Sequence, residues 1–387
     1  MSVETATAEQ PAARIALAAA LEQPYHAYVF TGPPGSGKRS AARALAAELL
    51  AAGSEDPENA RRRALADPSP HPDLVWLCPP GTQHLVEEVR ERVIAAARYR
   101  PFESDRRVFV IEAAEAMAEE SQNAMLKTLE EPPPFAHLIL ITSEPEALLE
   151  TVRSRCRAVR FSKLSAEAVE QRLDTDADPL ERRAVARLSD GDPERARFLL
   201  SDDGRALRGA VESLVSAAAR GELAGAPWTA IAAAAEAAGE HEAAVQRERA
   251  ERAEEEAAER TGPAARRRVR EAEELAKRAS RRARTETLDL GLGLLAGWLR
   301  DLVAAGEGAT ELALNCDRAA EIEELAAMVD PRRARRAAEL VMDTRRRLQV
   351  NVSEALALEA LSFRLEFLLA RRQPSRAAVE APGSAKR

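Results

Sequence analysis

A glycine-rich run between an apolar stretch and an alanine-rich helical pattern constrains the fold of this chain more than any other feature. The run spans residues 32–38 (GPPGSGK) and directly follows the apolar stretch 28–30 (YVF). Glycines let backbone N–H groups converge on phosphate oxygens, a helix N-terminus favours the anion, and a lysine reaches the β- and γ-phosphates. The sequence therefore predicts a strand, a phosphate-binding loop and a helix, with the nucleotide-binding residues Gly32, Gly35, Gly37 and Lys38.

The first part of the chain, to residue 164, alternates short apolar runs with helical patterns. Further apolar runs lie at 74–77, 108–111, 138–141 and 158–161, and helical patterns cover 41–50, about 86–99, 119–130 and 146–151. Continuous apolar strands that alternate with helices indicate a parallel sheet with both faces covered. The prediction is an α/β P-loop domain, in which the stretch 53–72, rich in Pro, Asp, Glu and Arg, forms a loop.

Beyond Leu164 the strand signals stop. Short helices are predicted from Ser165 to about Leu200, and helices throughout from Gly204 onward. Two segments have apolar residues at helical spacing, which suits helix–helix packing: 288–302 and 352–369. The composition agrees, because 45% hydrophobic residues with only 4% aromatic residues favours helices over an all-β fold.

Two charged or polar stretches interrupt this helical part. Residues 241–284 are nearly all Glu, Arg and Ala around Thr261-Gly262-Pro263, which predicts two solvated helical arms joined by a turn. Residues 373–387 predict a disordered tail.

The overall charge limits the kinds of partner. A net charge of −8 predicts that contact with DNA comes from local basic patches or through other proteins. The more basic second arm, 266–284, is one candidate patch.

The cysteines and the apolar segments indicate a cytoplasmic protein without membrane contact. Cys78, Cys156 and Cys316 lie far apart, so no pair has metal-ligand spacing and no closed disulfide framework can form. Residues 1–10 are acidic and polar, unlike a signal peptide, and no segment is long and apolar enough to span a bilayer. We expect no metal-ligating residues.

The phosphate loop departs from the pattern of a working ATPase at the residue after its lysine. A Ser or Thr belongs there, because its hydroxyl ligates Mg²⁺, but the chain has Arg39. Ser40 follows, and one helical step turns its side chain by about 100° away from the metal position. Arg39 would repel Mg²⁺ or contact a phosphate directly, so Arg39 and Ser40 remain candidate nucleotide contacts.

A second departure follows the strand at 108–111. P-loop ATPases of this class place an Asp that supports Mg²⁺ and then a Glu that activates water, whereas this chain has Glu112 and Ala113. Glu112 can replace the Asp imperfectly, and the loss of a general base costs about 10² to 10⁴ in rate. Glu115 is expected on the following helix. Thr142, with Ser143, lies where a polar residue would sense the γ-phosphate.

Three strings resemble one known family. They are 26–32 (HAYVFTG), 123–133 (NAMLKTLEEPP) and 153–156 (RSRC), and together they resemble the subunits of bacterial DNA polymerase III clamp loaders, an AAA+ family. The middle string is the most specific. An amphipathic helix with a proline stop explains its shape but not its whole order between two strands.

This resemblance implies the domain organisation and the partners. It implies an AAA+ α/β domain (1–164), a small helical lid (165–203) and a helical collar (204–372) that joins subunits in a hetero-pentamer. The implied partners are gamma/tau motor subunits, a delta subunit, the sliding clamp and, through the complex, primed DNA. Arg155 is implied to be an arginine finger, reaching the γ-phosphate of ATP held by a neighbouring motor subunit. Its neighbours Arg153 and Arg157 are candidates for interface contacts.

The resemblance also separates two subunit types. Motor subunits keep the hydroxyl after the lysine and the Asp-Glu pair, and this chain has neither, so the non-hydrolysing delta-prime type is implied, as part of a polymerase holoenzyme. Its degenerate loop would hold ATP or ADP weakly at most. The four-cysteine zinc module of many relatives is absent, so no zinc is expected. The lid arginine with which motor subunits sense nucleotide falls out of register within 191–195.

Two other functions remain open at this point. One is an active motor ATPase that tolerates Arg39 and Ala113. The other is a stand-alone P-loop scaffold unrelated to replication.

Overall fold

A computed structural model describes residues 2–79, 81, 83–256, 263–348 and 353–370. The chain divides into two compact units. The sheet unit comprises Met1–Asp174, Ser189–Ala196 and His241–Arg282, and the helical unit comprises Thr175–Leu188, Arg197–Glu240 and Ala283–Arg387. The three-domain division drawn from the resemblance stays a prediction, and the expected tail at 373–387 lies outside the described residues.

The sheet unit is built on five parallel strands. They are β1 (Ala27–Thr31), β2 (Leu74–Leu77), β3 (Arg107–Ile111), β4 (Ala136–Thr142) and β5 (Arg157–Arg160), in the order β2-β3-β4-β1-β5. The predicted α/β parallel sheet is confirmed. Strands β3 and β4 are buried along their whole length, which explains why they are continuous apolar runs and do not alternate.

Alternate residues of each strand enter two separate cores, one on each face of the sheet. Tyr28 and Phe30 of β1 point into one core, while Ala27 and Val29 point into the other. This period of two is the ordinary geometry of a strand. Both faces therefore carry helices, as the pattern of the sequence predicts.

The helices of the sheet unit include those that the sequence patterns predicted and others, nearer the N-terminus, that they did not predict. They include α1 (Val3–Ala6), α2 (Pro11–Glu22), α3 (Lys38–Ala51), α4 (Pro57–Leu65), α5 (Val86–Val89), α6 (Glu119–Glu130), α7 (Glu150–Arg153) and α8 (Ala166–Gln171). Helix α3 contributes buried alanines and leucines to the core that holds Tyr28, and Met125 and Leu129 of α6 enter the opposite core.

The loop predicted over 53–72 is wrong in part, because it contains helix α4. Asp56 caps this helix by accepting a hydrogen bond from the Asn59 N–H at 3.1 Å, and Pro57 takes the first helical position. Ala60 and Ala64, one turn apart, are buried against the core that contains α3. Composition suggested a loop, but two alanines four residues apart are enough to pack a short helix.

Two other predicted helices are irregular. The pattern at 86–99 forms α5 followed by a π-helical stretch, Arg90–Ala95, and a 3-10 turn, Ala96–Arg98. The pattern at 146–151 divides into a 3-10 turn, Pro145–Ala147, and helix α7. These segments connect strands on one side of the sheet, and the position of α7 fixes the start of β5.

The rest of the described chain is mostly helical, with short turns between the helices. The helices are α9 (Pro179–Leu188), α10 (Pro193–Leu200), α11 (Asp202–Arg220), α12 (Trp228–Glu256), α13 (Pro263–Gly306), α14 (Ala319–Ala326), α15 (Pro331–Leu348) and α16 (Glu354–Leu369). Within the helical unit, α16 packs on α11 and α15 and buries Leu358, Leu361, Leu365 and Leu369. The predicted charged arms are the end of α12 and the start of α13, and their turn at 257–262 lies outside the described residues.

The described helices include none with both the length and the apolar character needed to span a membrane.

The side chain of Asp73, just before β2, holds the segment 102–104 in place. Its buried carboxylate accepts hydrogen bonds from the backbone N–H groups of Phe102 (2.7 Å), Glu103 (2.9 Å) and Ser104 (3.0 Å). We predict that Asp73→Ala lowers the free energy of unfolding by about 3 kcal/mol or more, since it orphans three backbone donors. Denaturant unfolding measures this. Asp105→Ala, which removes an exposed carboxylate nearby, should change it by less than about 0.5 kcal/mol.

Candidate functional site: the phosphate loop and Arg155

The predicted strand, loop and helix are present, and the loop starts where β1 ends. Strand β1 stops at Thr31 and α3 starts at Lys38. Gly37 is the N-terminal cap of α3, with φ at 89°, in the left-handed region that a side chain would disfavour. The local backbone is therefore that of a phosphate-binding loop.

Lys38 is bound to its own loop. Its buried ammonium Nζ donates to the carbonyl oxygens of Gly32 (2.5 Å) and Pro33 (2.6 Å), and Ser143 Oγ lies at 3.3 Å. An ammonium has three donors, so these contacts can use all of them. Burial lowers the pKa of Lys38 from 10.5 to about 8, an effect that the negative charge of Glu115 partly offsets.

Arg39 and Glu112 meet each other where a metal would be supported. Arg39 Nε lies 3.4 Å from Glu112 Oε2, and its Nη2 lies 2.9 Å from Asp67 Oδ2. The same Glu112 oxygen accepts from Trp76 Nε1 at 3.0 Å and from Cys78 Sγ at 3.2 Å. A guanidinium thus neutralises the carboxylate that Mg²⁺ would otherwise need, and it opposes cation binding at this position.

The position after Glu112 carries no carboxylate, because it is occupied by Ala113. Ala113 takes a left-handed conformation, with φ at 50°, and leads into a 3-10 turn over Ala114–Ala116. Glu115, on that turn, accepts from the Ser143 N–H through Oε1 at 3.2 Å, and its buried Oε2 has no hydrogen-bond partner in the described structure. The Glu115 carboxylate therefore lies near the carboxyl end of β4, and its negative charge raises the pKa of Lys38.

Two other predicted contacts face away from Lys38. Thr142 is buried, and its Oγ1 accepts from the Glu144 N–H at 3.0 Å, so the side chain shapes the turn after β4. Ser143, one residue on, is the side chain that reaches Lys38. Ser40 is exposed on α3. Ser143 and Glu115 could be found from sequence only as polar residues near a strand end, a weak signal.

No group of three or more His, Cys, Asp or Glu residues in the described part of the chain is placed to hold a metal ion. The three cysteines are free thiols. Burial raises the pKa of Cys156 to about 12, so near neutral pH the group stays a protonated thiol, which is a poor nucleophile. The expectation of no zinc stays a prediction.

Arg155 lies between α7 and β5, held by its own chain. Its Nη2 donates to Glu130 Oε1 at 2.5 Å and its Nη1 donates to the Thr151 carbonyl at 2.9 Å, and the side chain is 35% exposed. Glu130 belongs to the string 123–133, so two of the resembling strings meet here. The neighbouring arginines have other contacts: Arg153 pairs with Glu146 at 2.9 Å, and Arg157 lies over the Tyr25 ring.

The direction of the strands separates Arg155 from the phosphate loop. Strands β1 and β5 are parallel, with Tyr28 opposite Arg157 and Thr31 opposite Arg160. The loop follows the carboxyl end of β1, whereas Arg155 precedes the amino end of β5. Three residues of pairing, roughly 10 Å at about 3.3 Å per residue, lie between the two ends. Arg155 therefore cannot act at the chain's own loop.

Comparisons with known proteins agree with this architecture. The family model described as "DNA polymerase III, delta subunit" matches residues 9–165, and "DNA polymerase III, delta subunit, C terminal" matches residues 283–366. Together the matched segments exceed half of the chain. The chain belongs to the DNA polymerase III delta-subunit family, and its sheet unit has the order of strand, phosphate loop and helix of a P-loop α/β domain.

Individual relatives carry two subunit names. DNA polymerase III subunit delta' of Bacillus subtilis is 32% identical over 46% of this chain and 55% of the relative. Subunit delta' of Pseudomonas aeruginosa is 39% identical over 34% of this chain and 41% of the relative. Subunit gamma/tau of Mycobacterium tuberculosis is 36% identical over 36% of this chain and 25% of the relative. The chain thus spans about half or less of the length of these relatives.

The lowered pKa of Lys38 predicts a pH dependence of stability. Because the pKa is about 8 in the folded chain and 10.5 in the unfolded chain, the folded chain releases its proton first. The free energy of unfolding should therefore rise with pH between about 8 and 10.5, by about 2 kcal/mol from pH 7 to pH 10 relative to Lys38→Met. Denaturant unfolding at several pH values measures this difference.

The matched control for this prediction is Lys127→Met, which removes an exposed lysine on α6. Its unfolding free energy should stay parallel to that of the wild type at every pH. If the unfolding free energy of Lys38→Met also changed with pH in parallel with that of the wild type, the pKa of Lys38 would not be lowered in the folded chain.

Proposed function

We propose that this chain is a delta-prime-type subunit of a DNA polymerase III clamp loader. In this proposal it hydrolyses little or no ATP itself and acts as a stator in a hetero-pentamer with gamma/tau motor subunits and a delta subunit. It supplies Arg155 to the ATP site of a neighbouring motor subunit while the complex loads the sliding clamp onto primed DNA. The relatives named delta' support this subunit type.

The observation that carries the proposal is the position of Arg155. Arg155 is partly exposed and lies at the opposite end of the sheet from its own phosphate loop, which supports a role at a site on another molecule. A guanidinium supplied in trans stabilises the charge on a transferred phosphoryl group, and such a finger is worth about 10³ to 10⁵ in rate.

The contact with Glu130 is compatible with this role. A guanidinium binds a carboxylate and a phosphate through the same planar arrangement of N–H groups. The pair is partly exposed, and exposed ion pairs contribute about 0 to 1 kcal/mol. Exchanging Glu130 for a phosphate of the neighbour therefore costs little, and Thr151 can keep one end of the guanidinium in place.

The state of the home site supports a non-hydrolysing subunit. The pair of Arg39 with Glu112 stands where metal support is required, and Ala113 offers no base. Both departures act on the chemical step, so they oppose turnover even if a nucleotide binds. With ATP or ADP bound, the chain's own contribution would be limited to holding phosphates at Lys38.

An active motor subunit is the second candidate, favoured by the match to a gamma/tau relative. Purified chain with ATP and Mg²⁺ decides between the two. A steady turnover that disappears in Lys38→Ala would establish the motor and contradict the stator. A chain that neither turns over ATP nor co-purifies with other clamp-loader subunits would instead be a stand-alone scaffold.

We predict that Arg155→Ala lowers DNA-stimulated ATP hydrolysis at the one motor site that it serves in the reconstituted complex by about 10² or more and leaves assembly intact, because the finger acts on the phosphoryl group and not on docking. Arg155→Lys should recover only part of the rate, since an ammonium lacks the planar fork. Steady-state ATPase assays and size-exclusion chromatography of the complex measure the two effects.

The matched control is Arg160→Ala, which removes an exposed arginine on β5 at the other end of the strand. It should leave the rate within about twofold of the wild type. An unchanged rate in Arg155→Ala complexes would end the proposal that this arginine works in trans.

A further inference from the structure

A segment within the predicted lid, 165–203, lies directly on the phosphate loop. Gly35 has φ at +70°, and a Cβ built on it would come within 2.3 Å of the Cα, Cβ and Cγ atoms of Asp192. Only a glycine allows the two segments to approach so closely, so Gly35 and Asp192 are in main-chain contact. Both residues belong to the sheet unit.

Asp192 is fixed in this position by its own segment. Its Oδ1 accepts from the N–H groups of Glu194 (2.9 Å) and Arg195 (3.3 Å), which makes it the cap of helix α10. Before it, Gly191 turns with φ at +87° and packs closely on the backbone of Leu164. The cap and the turn leave Asp192 little freedom to swing away from Gly35.

The charge of Asp192 has the wrong sign for a nucleotide site. Its carboxylate is one of two, with Glu115, whose fields act on the Lys38 ammonium and raise its pKa against the effect of burial. A nucleotide phosphate brings further negative charge to the same lysine. Two like charges in a partly buried site repel each other strongly, because the local dielectric is low.

The loop is also satisfied from within. Lys38 already donates to Gly32 and Pro33, and the carbonyl of Ser36 accepts from Gln10 Nε2 at 3.1 Å. A nucleotide would have to displace Asp192 from Gly35 and compete with these bonds. Of these obstacles, Asp192 alone combines bulk against the loop with an opposing charge.

We propose that Asp192 is the residue that decides whether this phosphate loop admits a nucleoside di- or triphosphate, by covering Gly35 and placing a carboxylate beside the loop. In this role Asp192 acts as an internal occupant of the site. The covering of Gly35 by Asp192 is a property of the single chain. The proposal therefore goes beyond the proposed function and does not depend on the position of Arg155 or on any partner.

The test measures ADP and ATP binding to the full chain by isothermal titration, without other subunits. The wild type should bind ADP only weakly, and Asp192→Ser should bind at least about tenfold more tightly, because serine removes the carboxyl group, with its charge and the Cγ that lies against Gly35, yet still caps α10. Asp192→Asn keeps the bulk and removes the charge, so it should give a smaller gain. Circular dichroism and thermal unfolding establish that each variant is folded.

Asp190→Asn is the matched control. Asp190 lies in the same turn, pairs with Lys163 and has φ at 58°, a conformation that asparagine tolerates. This variant makes the same charge change without touching Gly35, so it should not tighten binding. Adding Lys38→Ala to Asp192→Ser should abolish the gain, since the gained binding uses the loop.

Three results would overturn the proposal. The first is a wild-type affinity equal to that of Asp192→Ser, including the case in which neither binds. The second is an equal gain in Asp190→Asn. The third is a gain that survives Lys38→Ala. None of these bears on the ATPase rate of the Arg155→Ala complex, so the two proposals fail separately.

Discussion

In a parallel sheet every strand ends at the same edge, and this rule arranges all of the chemistry of the sheet unit. The phosphate loop follows β1 at the carboxyl edge, and the side chains that approach Lys38 from the sheet, Ser143 and Glu115, follow β4 and β3 at the same edge. Arg155 precedes β5 and so belongs to the opposite edge. One backbone constraint thus puts a lysine that could bind phosphate and an arginine that could act on phosphate out of reach of each other.

Around the loop, groups that would bind a nucleotide are bound to the chain instead. Lys38 donates to loop carbonyls, Arg39 pairs with Glu112 and Asp67, and Gly35 is covered by Asp192. Burying an ammonium costs free energy unless its donors are used, and the loop carbonyls offset that cost. The phosphate loop is therefore stabilised by contacts within its own chain.

The other edge of the sheet has a different character. Arg155 is partly exposed and held by one carboxylate and one carbonyl, contacts that are weak enough to exchange. A covered phosphate loop and an exchangeable arginine support the proposal that the chain contributes to a site on a neighbouring subunit.

The sequence by itself determined the sheet and the loop, because both depend on local patterns. Continuous apolar runs predicted four strands, the mixed run 158–161 predicted the fifth, and glycine spacing predicted the loop before α3. It missed helix α4, where two buried alanines outweighed a polar composition. The sequence also showed that Arg39 and Ala113 depart from the pattern of a working ATPase, because each is a single position within a motif.

Only the tertiary structure decided which groups meet. The contacts of Asp192 with Gly35, of Glu130 with Arg155 and of Ser143 with Lys38 join residues 157, 25 and 105 positions apart. No local pattern encodes such pairs, because they depend on the order and direction of strands and on the packing of the segments between them. The sequence thus identified the phosphate loop. Only the tertiary structure shows that Asp192 of the same chain covers Gly35 of this loop.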